Sequence, residues 1–202
     1  MKHIPQLFNA DMARAIWNGT KTETRRPITG VPNEATSWWR EVATKFLRFN
    51  DAAKNPYPNH FGTRTQVGDL IYVREAWAVG RPHDGTKPSD LNRNLYPRGI
   101  NYPATDLSRG VKRRPSLHMP KWASRMTLRV TDVSFERVQD IRGHDCVAEG
   151  IPVVNHCFGE TRDAFASLWD SIYCADQSWE ANPWVMVVKF ETIKKNILEV
   201  GV

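Results

Sequence analysis

Between Gly19 and Arg26 the chain reads Gly-Thr-Lys-Thr-Glu-Thr-Arg-Arg, so Lys21, Thr22, Thr24, Arg25 and Arg26 fall within six residues. Hydroxyls beside fixed cations suit an anion, a phosphate or a polarised carbonyl. The competing reading is an exposed edge strand carrying ordinary solvated charges. Further along, Glu75 lies near the inner end of the apolar run Leu70-Ile71-Tyr72-Val73. A buried carboxylate there needs a cationic partner, and one of the arginines after the first helix is the expected one, Arg26 in particular. Residues 115–125 set His118, Lys121, Trp122 and Arg125 among two prolines, just after Lys112-Arg113-Arg114. An aromatic interleaved with cations is what base stacking plus phosphate contact requires. Cys146, His156, Cys157 and Cys174 lack the paired spacing of a zinc site, so no metal is expected, and no cofactor.

These residues need elements to hold them. Asn9 or Asp11 can cap a short helix whose buried face is Met12, Ala15 and Ile16, and Gly19 fits its left-handed terminator. The threonine-rich stretch that follows reads as a strand closed by Pro27. Residues 28–66 form a first insertion, with a helix over 37–49 that places Trp38, Val42, Phe46 and Phe49 on one side. Its Trp38-Trp39 pair either stacks on bases or makes the insertion's own small core. A strand covers 70–77, and residues 80–114 form a second, irregular and basic insertion. A half-buried strand runs over 126–133. A helix over 138–150 ends at Gly150 and puts Glu149 in its last turn, where the dipole disfavours an anion. A core-facing helix over 162–173 carries Phe165, Leu168, Trp169 and Ile172, and a last strand covers 184–190.

At 202 residues with 41% hydrophobic and 25% charged content, the chain is one domain with extensions, able to bury a core without staples. No apolar run approaches a membrane span, and the first residues lack a signal-peptide core, so no membrane partner is expected. Three cysteines without a Cys-x-x-Cys pair fit a reduced cytoplasm. The net charge is +6, and residues 93–129 hold nine Lys or Arg against the single acid Asp106. Such clustering is the footprint of a nucleic-acid partner or another polyanion.

Taken in order, the Gly19–Arg26 motif, the Gly68-Asp69 turn into Leu70–Val73, the strand Thr127 to Val133, Ala148-Glu149-Gly150 and the closing strand from Trp184 to Phe190 resemble the ASCH family. Val73-Arg74-Glu75 and residues 115–120 resemble its longer prophage-type members. The resemblance implies an α+β fold built on a small PUA-like β-barrel with flanking helices, interrupted by insertions at about 28–66 and 80–114. It also implies a nucleoside, RNA or possibly DNA partner. Small members of the family hydrolyse cytidine acetylated on its exocyclic amine with a lysine, a threonine three residues later and a glutamate on a later helix. Those positions fall on Lys21, Thr24 and Glu149. Arg26, Glu75, His118, Trp122 and Arg125 are the accompanying candidates for substrate contact, and Lys112, Arg113, Arg114 and Lys121 for nucleic acid. Related domains bind RNA without chemistry, and one member is described as a ribonuclease.

On a regular strand Lys21 and Thr24 point to opposite faces, so they converge only if Lys21 is still in the turn or a bulge intervenes. For Lys21 to be half neutral at pH 7 its pKa must fall by ~3.4 units, about 4.6 kcal/mol. Two assignments follow. Lys21 is a desolvated base for Thr24 with Glu149 as acid, or Lys21 stays charged and steadies an oxyanion while Glu149 accepts the proton. The second asks for no large lysine shift and is preferred.

Overall fold

The computed structural model describes residues 1–32, 34–40, 46–56, 61–62, 65–95, 98–106 and 111–200. Ten strands and three α-helices are described: β1 (His3–Leu7), α1 (Ala10–Asn18), β2 (Glu23–Pro27), β3 (Ser37–Arg40), β4 (Phe46–Asn50), β5 (Phe61–Gly62), β6 (Leu70–Arg74), β7 (Ala78–Val79), β8 (Ile100–Asn101), β9 (Thr127–Arg137), α2 (Gly143–Ala148), α3 (Phe158–Ile172) and β10 (Trp184–Ile193). The fold is α+β. Its main sheet has the order β1-β6-β9-β10-β2, an open order among the described residues. The chain divides into two compact units, one of residues 1–22, 67–131 and 190–202, the other of residues 23–66 and 132–189. The long strands β9 and β10 each contribute one part to either unit.

In the first unit, β1 pairs in parallel with β6, which pairs antiparallel with β9 through Leu70↔Arg129 and Tyr72↔Thr127. β1 has no counterpart in the sequence reading, because Pro5 in its middle argues against a strand except at an edge. It is an edge. Helix α1 follows the sequence expectation: Asn9, rather than Asp11, caps it by accepting from the Met12 N–H, and Gly19 ends it at φ +80°. Among the described residues of 80–114, irregular stretches alternate with brief ordered ones. Short 3₁₀ turns and the β7–β8 pair fold over a core of Trp77, Val79, Leu91, Ile100, Tyr102, Met119 and Ala123.

In the second unit, β2 pairs antiparallel with β10 through Arg26↔Met186 and Thr24↔Val188. The helix expected over 37–49 is instead the antiparallel pair β3–β4, with Trp38 opposite Phe49; residues 41–45, including Val42, lie outside the described residues. Trp38 is half-buried, its Nε1 donating to Phe135 O at 3.0 Å and its ring meeting Phe135 edge to face, contacts that fit the packing alternative. The helix expected over 138–150 is a 3₁₀ turn followed by α2, and α3 starts at Phe158, ahead of the expected Arg162. Phe165 and Trp169 are buried on α3 as expected, but Ile172 is 56% exposed.

Candidate functional site

Helix α1 delivers Lys21. Past Gly19 the chain turns back, and the Thr20 and Lys21 N–H groups both donate to Ala15 O, at 3.0 and 3.1 Å. Lys21 therefore lies in the turn before β2, the first of the two local geometries expected for it. It is 2% exposed, in the company of few lysines that soluble folds bury.

In the second unit, β2 carries Glu23, Thr24 and Arg25, all buried. Strand alternation sends Glu23 and Arg25 to one face and Thr24 to the other. Arg25 is the hub of an acidic cluster. Its Nη1 reaches Glu23 Oε1 at 2.5 Å and Glu149 Oε1 at 3.2 Å, its Nε reaches Glu136 Oε1 at 2.8 Å, and Asp145 stands 4.0 Å from Nη2. Burial alone would lower the arginine's pKa, but Glu149, Glu23 and Glu136 together raise it above its ordinary value. Burial pushes the Glu23 carboxyl up, against the pull of Arg25, and neighbouring Glu149 and Asp145 push the same way. Cys146, on α2 beside the cluster, is pushed up to about 11, chiefly by burial. Glu149 caps the C-terminal end of α2, and the cation its position calls for is Arg25. The Thr24 hydroxyl, on the opposite face of β2, has no hydrogen-bond partner among the described residues. Arg26 is half-buried, with Nη1 on Arg25 O at 2.8 Å.

In the first unit, the partner of Glu75 is Arg125, not the arginines that follow α1. Arg125 Nε and Nη2 hold the two carboxylate oxygens at 2.8 and 2.9 Å, the bidentate geometry that favours arginine in buried pairs. Its Nη1 donates to Thr105 Oγ1 at 2.7 Å, and its guanidinium packs 4.4 Å from the Trp17 ring and 4.1 Å from that of Tyr102. Burial pushes the Glu75 carboxyl up and Arg125 opposes it. Trp17, Tyr102 and Thr105 are not among the site candidates read from the sequence. Only their spacing to Arg125 in the folded chain reveals them.

The remaining candidates scatter over the first unit. His118 is exposed at the end of a 3₁₀ turn. Trp122 is half-buried against the insertion core, edge to face with Trp77 at 6.4 Å. Lys121 Nζ lies 2.5 Å from His3 Nδ1, and burial, with Lys121 and the N-terminus, lowers the pKa of His3. Lys112 and Arg113 are exposed. Arg114 is buried, stacked on Trp77 and bonded to His83 O at 2.8 Å, so its charge is committed inside the fold. Among the described residues no group of three or more His, Cys, Asp or Glu could hold a metal ion, and no helix is long and apolar enough to cross a membrane.

No family model, curated protein or solved structure matches the chain.

Proposed function

We propose that this is an ASCH-type, PUA-like protein of the cytoplasm that recognises a nucleoside or nucleic acid, with hydrolysis of the amide on acylated cytidine as its chemistry. The reading rests on the Thr24 hydroxyl. Buried polar groups nearly always have a hydrogen-bond partner, and a buried hydroxyl without one costs about 1–3 kcal/mol. A threonine kept at that cost, three residues after a buried lysine, fits a hydroxyl reserved for a guest. In the proposed reaction water adds to the acyl carbonyl and the bond to the exocyclic amine breaks. Acetate and cytidine leave, the amine taking up a proton. Thr24 is the group assigned to the acyl oxygen, as a neutral hydrogen-bond donor; a charged Lys21 as oxyanion stabiliser and Glu149 as proton acceptor are the roles the family resemblance implies.

The test is acetylcytidine hydrolysis by the wild type and by Lys21→Ala, Thr24→Val and Glu149→Gln. A loss of about a hundredfold or more in each variant is expected. No turnover by the wild type, or turnover indifferent to all three, overturns the enzymatic reading. A second reading, binding without chemistry, is favoured by the commitment of Glu149 to Arg25 on the face of β2 away from Thr24. It predicts RNA affinity that falls steeply with salt, through Lys112, Arg113 and Arg129, and no deacylation.

A further inference from the structure

Around the start of the second insertion, in the first unit, three buried polar atoms have no hydrogen-bond partner among the described residues: Trp77 Nε1, Arg114 Nε and Asp84 Oδ1. The chain brings their residues together. Trp77 and Arg114 face each other in an antiparallel bridge, the Arg114 N–H donating to Trp77 O at 2.7 Å and the Trp77 N–H to Arg114 O at 3.2 Å. The Arg114 guanidinium then folds over the indole, 5.4 Å from the ring centre. Past β7 the chain bends into the 3₁₀ turn Arg81–His83, where the Asp84 N–H donates to Arg81 O at 3.1 Å. That turn carries Asp84 back to the same guanidinium, whose Nη2 donates to His83 O at 2.8 Å and to Asp84 O at 3.5 Å. One side chain, Arg114, therefore touches both of the other two residues.

What the three atoms need is complementary. An indole N–H and a guanidinium Nε–H only donate, and a carboxylate oxygen accepts. Trp77 is 0% and Arg114 7% exposed, so bulk solvent does not serve the two donors. Two donors and an acceptor left unmet in one corner would consume a large share of the small net stability of a domain. Their common partner must accept twice and donate once. A cation would meet the positive ends of both donors, and an anion would meet the Asp84 carboxylate. Water does both tasks, and buried waters typically make about three hydrogen bonds to groups of this kind. We infer that a single internal water molecule is bound here, accepting from Trp77 Nε1 and Arg114 Nε and donating to Asp84 Oδ1. Asp84 and Arg114 are thereby an ion pair bridged by water, which pins the turn at Arg81–His83 to the insertion core and occupies the Arg114 charge inside the fold. None of these residues enters the proposed hydrolysis, so the inference stands or falls apart from it.

The experiment is nuclear magnetic resonance of the full chain labelled with ¹⁵N, reading Overhauser contacts between water and the tryptophan indole protons. The Trp77 Nε1 proton is expected to show a water contact of the sign that a long-lived, bound water gives. Trp77→Phe assigns the signal by its disappearance, and if that variant does not fold, the contacts of the indole proton with the Arg114 side chain assign it. Asp84→Asn keeps an acceptor oxygen and should retain the water contact. Asp84→Leu removes the acceptor and should abolish it. No long-lived water contact at Trp77 in the wild type overturns the inference, as does a contact that Asp84→Leu leaves unchanged. A crystal structure of the wild type gives an independent reading: an ordered water about 3 Å from all three atoms supports the site, and any of the three bonded directly to a protein group instead overturns it.

Discussion

Replacing Arg25 by methionine withdraws the guanidinium that Glu23, Glu136 and Glu149 share, at 2.5, 2.8 and 3.2 Å. Glu23 and Glu149 are 3% and 5% exposed, so water cannot stand in for the lost guanidinium. Breaking a buried ion pair from one side costs about 3–5 kcal/mol, a large share of the ~5–15 kcal/mol that keeps a domain folded. The cost must depend on pH. Glu23 already titrates above its ordinary value in the folded chain, so its favourable contribution is complete below the unfolded pKa, about 4.3. It fades as pH rises through the folded value. Arg25 opposes that shift, and without it the shift grows, so wild type and variant should diverge as pH rises above that unfolded value. Urea unfolding of both proteins at about pH 5 and about pH 8 measures the divergence. A gap below about 1 kcal/mol at the higher pH, or one equal at both, would show that the cluster does not depend on the Arg25 guanidinium.

Thr24→Val should separate stability from activity: it removes a hydroxyl that has no partner, and urea unfolding should show a gain of about 1 kcal/mol where turnover is lost. A loss of stability would mean that the hydroxyl is satisfied in solution. Gly19→Ala should destabilise by about 1–2 kcal/mol, because φ is +80° although nothing lies within 4 Å of the added Cβ, and thermal unfolding reads it. An Ellman titration of the native chain near pH 8 should find two reactive thiols, Cys157 and Cys174, and the third only in denaturant, since Cys146 is buried and raised to about 11.

Local signals carried the α1–β2 passage: Asn9 and Gly19 are caps that a reader of the chain can place, and the apolar start of β6 is equally plain. The failures are non-local. Trp38, Val42, Phe46 and Phe49 match a helical period, yet what fixes that segment is the pairing of Trp38 with Phe49 across two strands. Tryptophan and phenylalanine favour strands as readily as that period favours a helix. Glu75 was legible as a carboxylate in need of a cation, but Arg125 lies 50 residues away, and nothing in the spacing selects it over Arg26. The insertion core is not legible because Leu91, Ile100 and Tyr102 are isolated among Pro, Gly and Asn, with no period to join them to Trp77. For Lys21, Thr24 and Glu149 the sequence offered the turn that holds Lys21, with desolvation of the lysine only as the less favoured alternative, and not that Arg25 claims the glutamate.

The first unit closes with residues 190–202, where the Asn196 amide reaches the carbonyls of Lys121, Trp122 and Ser124. On a ribosome those carbonyls are made some seventy residues before the amide that satisfies them. A growing chain therefore leaves those carbonyls without the Asn196 amide while residues 132–189 of the second unit are synthesised. Such long-range closure slows folding and lengthens the time that apolar surface stays uncovered. Completion of the first unit thus waits on the arrival of Asn196, past the last strand, rather than on its first helix.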